Sequence, residues 1–319
     1  MVFRIVTLLA GCAVLAGCGG GGGSSDVPGP VATSSPTPTP GATPYQTFAQ
    51  QTGNRTYATS CAAGVLKVPG TVVYPATDFG ASLAIAYNAG TQLFAINGPN
   101  GVNANFGPAD LDPAPPASSS AAYSRTLADG FRARFIIGNG AGAGGTLDYV
   151  RSAFLAAQTG AGEPLTHYCV LGVPTLITDQ PASGSLTFGQ IAVSGVALEQ
   201  VSGGFVTYDI RDSTVSLSAN ATTGRIAASI RLLGRRVDSG TAAGASTELG
   251  TFAGTAALAT NATTFSGVLT STDRTSLQSQ IGGWYFGPQG REIGASFTVV
   301  AQDAAGRQLY VLGTVVGNR

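Results

Sequence analysis

The chain has 319 residues, with 16 Lys and Arg against 16 Asp and Glu, so its formal net charge is zero. Only 10% of residues are charged, and no basic stripe is present to neutralise a phosphate backbone, which argues against nucleic acid as a partner. Abundant Gly, Ala, Ser and Thr suit short strands and tight turns better than helices, whose exposed faces favour Glu, Lys, Leu and Gln.

Arg4 is followed by the apolar run Ile5 to Ala16, then Gly17 and Cys18. A positive start and a short apolar run have the form of an export signal; a bilayer span needs roughly 20 apolar residues. Leu15-Ala16-Gly17-Cys18 resembles the bacterial lipobox, in which the cut before the cysteine leaves a lipidated N-terminus. An ordinary secretory signal with an incidental cysteine is the alternative, and the fit at all four positions favours the lipobox. Residues 1–17 are expected to be removed and Cys18 to carry the acyl chains. Each buried methylene contributes roughly 0.8 kcal/mol, and stable anchoring takes more than one chain. Gly19 after the cysteine, rather than Asp, points to the outer membrane.

Residues 18–44 are low-complexity: glycines, serines, then Ser-Pro and Thr-Pro repeats. Such a segment buries no core and reads as a disordered spacer that sets reach. Cys12 leaves with the signal and Cys18 takes lipid, so Cys61 and Cys169 remain as an even pair in an oxidising compartment. A disulfide is favoured over two buried thiols.

The folded part is expected from residue 45. Ser82 to Tyr87 and Gln92 to Ile96 flank Asn88-Ala89-Gly90, a hairpin signal. Pro113 to Ser120 reads as loop. Phe131, Ala133, Phe135 and Ile137 alternate with Arg132 and Arg134, a half-buried strand. Leu147 to Gln158 fits both helical and strand spacing, and the strand reading is preferred. Leu165 to Leu171 reads as a further strand. From Gly184 the pattern becomes regular. Gly184 to Leu198, Gly204 to Ile210, Thr214 to Ala219, Arg225 to Leu233, Glu248 to Leu258, Thr264 to Ser271, Glu292 to Ala301 and Gln308 to Val316 make about eight strands in succession. Turn signals lie between them, among them Asn261-Ala262 and Ala305-Gly306. Short connections favour antiparallel neighbours, and closure into an eight-stranded barrel would remove exposed edges; a sandwich is the alternative.

Gly283-Trp284-Tyr285-Phe286-Gly287-Pro288-Gln289-Gly290-Arg291-Glu292-Ile293-Gly294-Ala295 resembles the barrel signature of the transferrin-binding protein B family, in which aromatics, Gly-Pro, a Glu and a glycine pair precede a closing strand. Tyr168-Cys169-Val170-Leu171-Gly172-Val173-Pro174-Thr175, with Pro181 and Gly184, looks like the segment leading into that barrel, and the end at Val315-Val316-Gly317-Asn318-Arg319 like its last strand. The resemblance implies an all-β chain: a handle-like β domain over 45–175 and an eight-stranded antiparallel β-barrel over 176–319. It marks Gly283, Phe286, Gly287, Pro288, Glu292 and Gly294 as structural signature residues; read from the residues themselves, Gly287-Pro288 to Gly290 is a turn and Glu292 caps a turn or pairs with an arginine. It also implies a lipid-anchored outer-membrane or surface protein that captures a host or environmental iron- or haem-carrying protein for an outer-membrane receptor. A structural or adhesive envelope lipoprotein without a small ligand is the alternative.

Catalysis has little to draw on. His167 is the one histidine, and no Gly-x-Ser-x-Gly elbow accompanies it. The expectation is a non-enzyme with no cofactor, His167 being structural, with axial ligation of haem as its functional alternative. Gly140 to Gly145 matches a dinucleotide pattern, but no βαβ alternation follows, so it reads as a loop. Cys61 and Cys169 are too isolated for zinc, and no metal site is expected. Arg235, Arg236 and Asp238 are placed between strands, as a solvated loop or part of a partner surface. Phe131, Phe135 and Trp284 are assigned to the core.

Overall fold

The computed structural model describes residues 45–142, 145–189, 191–238, 240–258 and 263–319, without the side chains of residues 141, 142, 145 and 146. The export signal, Cys18, the spacer to residue 44, the Asn261-Ala262 turn and residues 143–144 of the glycine run lie outside the described residues. The described chain is all-β, its helical content confined to one-turn 3-10 segments.

The first twelve strands are β1 (Arg55–Tyr57), β2 (Ser60–Val65), β3 (Val72–Val73), β4 (Ala84–Asn88), β5 (Leu93–Asn97), β6 (Asn103–Phe106), β7 (Ser119–Thr126), β8 (Arg132–Gly138), β9 (Ala141–Gly142), β10 (Gly145–Thr146), β11 (Val150–Gln158) and β12 (Pro164–Gly172). They form a four-stranded sheet in the order β1-β4-β5-β6 and a six-stranded sheet in the order β3-β2-β12-β11-β8-β7. Where the sequence suggests a loop over Gly140 to Gly145, Ala141–Gly142 and Gly145–Thr146 instead pair antiparallel as β9–β10. The two larger sheets share one core: Tyr57, Ile85, Phe94, Ile96 and Phe106 against Phe135, Leu155, Leu165 and Leu171. Cys61 and Cys169 face each other across β2 and β12 and are disulfide-bonded within that core. In the chain-entropy picture, closing a loop of this size stabilises by about 4 to 5 kcal/mol.

The remaining strands are β13 (Ser185–Phe188), β14 (Ala192–Val201), β15 (Gly204–Asp209), β16 (Thr214–Asn220), β17 (Arg225–Asp238), β18 (Thr241–Ala242), β19 (Thr247–Leu258), β20 (Phe265–Ser271), β21 (Thr275–Phe286), β22 (Glu292–Gln302) and β23 (Gln308–Asn318). β14, β15, β17, β19, β20, β21, β22 and β23 pair antiparallel in that order, and β23 pairs back to β14, so eight strands form a closed ring. Alternate side chains turn inward. Phe252, Phe265, Ile281, Tyr285, Phe297, Val299 and Val311 are buried there, so side chains fill the centre, as the small size of such a ring requires.

The membership of the ring differs from the sequence expectation. Gly184 to Leu198 is two strands: β13 pairs with β16, and only β14 pairs with β23. β16 lies off the ring, pairing with β13 and with the first half of β17. Its expected place is taken by β21. That strand is hidden in the sequence because an irregularity between Ser276 and Gln278 breaks the alternation, leaving Leu277 exposed, and a serine, Ser279, sits at a buried position. Arg235, Arg236 and Asp238 belong to the end of β17 rather than to a loop. There Arg235 pairs with Asp212 and Arg236 with Asp238.

Candidate functional site

β2, β11 and β12 lie across β22 and β23, so one face of the six-stranded sheet is shared with the outside of the ring. The signature residues gather along this junction. Alternation on β21 sends Tyr285 into the ring, against Phe188 and Phe265, where burial raises its hydroxyl to about 12. Trp284 and Phe286 point the other way, into a cluster with Phe79, Leu147, Val150 and Val170. Trp284 Nε1 donates to Thr175 O at 3.0 Å, and Thr175 Oγ1 donates to Gly287 O at 2.6 Å. The glycines are set by close approach. Gly287 has φ +73°, and a Cβ there would lie 2.4 Å from the Tyr149 ring. A Cβ on Gly294 would come within 2.8 Å of Val150, and one on Gly283 within 2.1 Å of Gly294 O. Pro288 opens a one-turn 3-10 segment. Ala295, at the second-glycine position, turns into the ring core, where a methyl fits.

Glu292 ties the two parts together. Its carboxylate accepts from the backbone N–H of Asp148 (2.6 Å) and Tyr149 (2.9 Å), which lead into β11, and of Val150 (2.8 Å), its first residue. Burial pushes its pKa above the usual carboxylate value, and the three amides pull against that shift. Of its two expected roles, capping is the one the chain uses; the neighbouring Arg291 is the residue that pairs with Asp148, at 3.1 Å. Arg151 braces the same segment. Its Nη1 donates to Leu147 O at 2.5 Å and Val150 O at 2.7 Å, and its guanidinium lies 4.9 Å from the Phe48 ring centre. Burial lowers the Arg151 pKa. On β2, Ser60 Oγ lies 2.7 Å from Ser296 Oγ and 2.9 Å from Gly282 O.

Towards β8 the two surfaces separate and leave a cleft of about 440 Å³. One wall carries Arg134, Ile136, Phe154 and Tyr168 from β8, β11 and β12; the other carries Ser194, Asp209 and Arg211. Phe154 and Tyr168 meet edge to face, with ring centres 5.2 Å apart. Arg211 is committed to Asp209 through Nε at 3.0 and 2.8 Å and Nη2 at 2.6 Å. Burial and the Asp209 charge raise the Tyr168 pKa, so its hydroxyl stays protonated. Arg134 Nε is buried without a hydrogen-bond partner among the described residues.

His167 is elsewhere. It sits on the opposite face of β12, between Leu165 and Cys169, 3% exposed. Burial lowers its pKa to about 4, so it is neutral at pH 7. Haem or a substrate would reach it only by opening that core. The cleft has no signature in the sequence as a whole. The outward alternation of Arg132 and Arg134 was the available signal on one wall, but nothing in the sequence brings Asp209 and Arg211 opposite them.

Scans against protein-family models and curated proteins return no match. Solved structures with a similar arrangement include a double mutant of Transferrin Binding Protein B from Haemophilus parasuis Hp5, at 13% identity and TM-score 0.44, over 82% of this chain and 44% of that one. HpuA from Kingella denitrificans, solved in complex with human haemoglobin, matches at 18% identity and TM-score 0.36, over 83% and 86%. An isotype 1 Transferrin binding protein B from Neisseria meningitidis matches at 12% identity and TM-score 0.35, over 84% and 77%. The chain spans less than half the length of the Haemophilus protein it matches.

Proposed function

We propose that this chain is a non-enzymatic binding protein, anchored by lipid on Cys18 to the outer membrane, that captures an iron- or haem-carrying protein of a host or of the surroundings at its outer surface. The division into an anchor, a spacer over 18–44, a handle over 45–175 and a ring-bearing part over 176–319 belongs to the same reading, as does delivery to an outer-membrane receptor. The observation that carries it is where open and closed surfaces fall. The ring is filled by its own side chains, so recognition belongs to the exterior, and the charged cleft beside the handle opens there. The lipobox and spacer supply the leash such a role needs.

The test is capture by the purified mature chain on beads, offered haemoglobin, transferrin and free haem separately. Saturable binding of one iron-carrying protein is the expected result, and binding of none would overturn the reading. Anchoring is tested separately: Cys18→Ser should move the protein from the membrane fraction to the soluble fraction, and an unchanged distribution would remove the lipid anchor.

A further inference from the structure

We infer that the cleft between β8, β11 and β12 on one side and the ring on the other is a binding site for a small aromatic anion, with Arg134 as counter-charge and the edge-to-face pair Phe154 and Tyr168 as the aromatic wall. Its volume, about 440 Å³, lies within the range of roughly 300 to 1,000 Å³ typical of small-molecule sites. The charged side chains on its walls are Arg134, Arg211 and Asp209, two positive against one negative, which leaves one positive charge. Asp209 is already engaged, by the Arg211 guanidinium and by the Arg211 backbone N–H at 3.0 Å, so it neither neutralises Arg134 nor offers itself to a cation. A buried guanidinium N–H without an acceptor costs free energy, and an entering carboxylate, sulfonate or phosphate would restore the missing bond.

The aromatic preference follows from what surrounds that charge. Ala156 lies opposite Arg134 in the β8–β11 ladder and Ile136 opposite Phe154, so the cation stands at the border of an apolar strip. Phe154 and Tyr168 continue the strip across β11 and β12. A compact inorganic anion would satisfy Arg134 and leave this wall wet; a flat ring bearing an acid group covers both. The cleft is part of the exterior on which the proposed capture rests, but the small-probe test below uses no protein ligand, so the two readings fail separately.

The probe is 8-anilinonaphthalene-1-sulfonate, an aromatic monoanion, titrated into the mature chain by fluorescence, with uncharged N-phenyl-1-naphthylamine in parallel. The wild type should bind the anion saturably at one site. Arg134→Gln should weaken the anion about tenfold or more and leave the neutral probe unchanged, the loss expected for one charge-assisted contact. Phe154→Ala should weaken both probes. Arg132→Gln, two residues away on the same strand, should change neither. Matching melting temperatures establish that each variant is folded, and Arg134→Lys supplies a second variant with the charge retained and part of the affinity restored. Absence of saturable binding, indifference to Arg134→Gln, or an equal loss with Arg132→Gln would overturn the proposal.

Discussion

The outer face of the six-stranded sheet is used in two ways. Under β22 and β23 it is a seam in which polar groups find partners across long stretches of chain: Trp284 with Thr175, Ser60 with Ser296, Glu292 with three amides. Towards β8 the same face is a cleft in which Arg134 Nε has none among the described residues. Buried polar groups are expected to be satisfied where they serve only folding. The three named seam contacts obey that rule and Arg134 Nε does not; Thr298 Oγ1 on β22 is likewise buried without a partner among the described residues, so the contrast lies between those contacts and the cleft arginine.

The largest effect should come from Glu292→Ala. It strips the acceptor from three amides, and each unsatisfied buried group costs about 1–3 kcal/mol, so urea unfolding should show a loss of at least about 3 kcal/mol. Glu292→Gln retains an acceptor oxygen and should lose less. A stability loss in Arg134→Gln as large as that in Glu292→Ala would erase the distinction between seam and cleft.

The inner face of β12 sharpens the contrast, because His167 is buried there with no role at either surface. The unfolded chain takes up its proton near pH 6.5 and the folded chain only near 4. Its contribution is therefore complete above pH 6.5 and is lost as pH falls towards 4, by about 3 kcal/mol. Urea midpoints measured across this window should fall for the wild type, and His167→Leu should flatten that part of the profile.

Gly287→Ala should cost about 2 kcal/mol, combining a left-handed backbone with a contact on Tyr149. Gly306→Ala shares the positive φ, +78°, with open space around it, and should cost about half as much. The smallest effect belongs to Arg134→Gln, whose stability should stay within about 0.5 kcal/mol of wild type while its affinity for an aromatic anion falls.

Strands with one buried face were legible in the sequence. Ile226, Ala228, Ile230 and Leu232 are the inward set of β17, and Phe135 and Ile137 that of β8. β2 was not legible, since all of Ser60–Val65 is buried and small residues replace alternation where both faces are covered. The break of Gly184 to Leu198 into β13 and β14 was equally hidden, because both pieces bury apolar residues in the same core. The cystine needed only the cysteine count and the expected export, whereas the three donors on Glu292 are backbone groups more than 140 positions away and carry no residue-type signal. The cleft stayed out of view because its walls come from strands in different ladders.

Amide hydrogen exchange at Asp148 and Tyr149 tests the seam most directly. Both residues precede β11, so no strand ladder protects their N–H groups, and Glu292 is their acceptor. These two amides should exchange as slowly as those in the middle of β22, and Glu292→Ala should release them. Exchange at the rate of an open turn in the wild type would contradict the claim that this carboxylate joins sheet to ring.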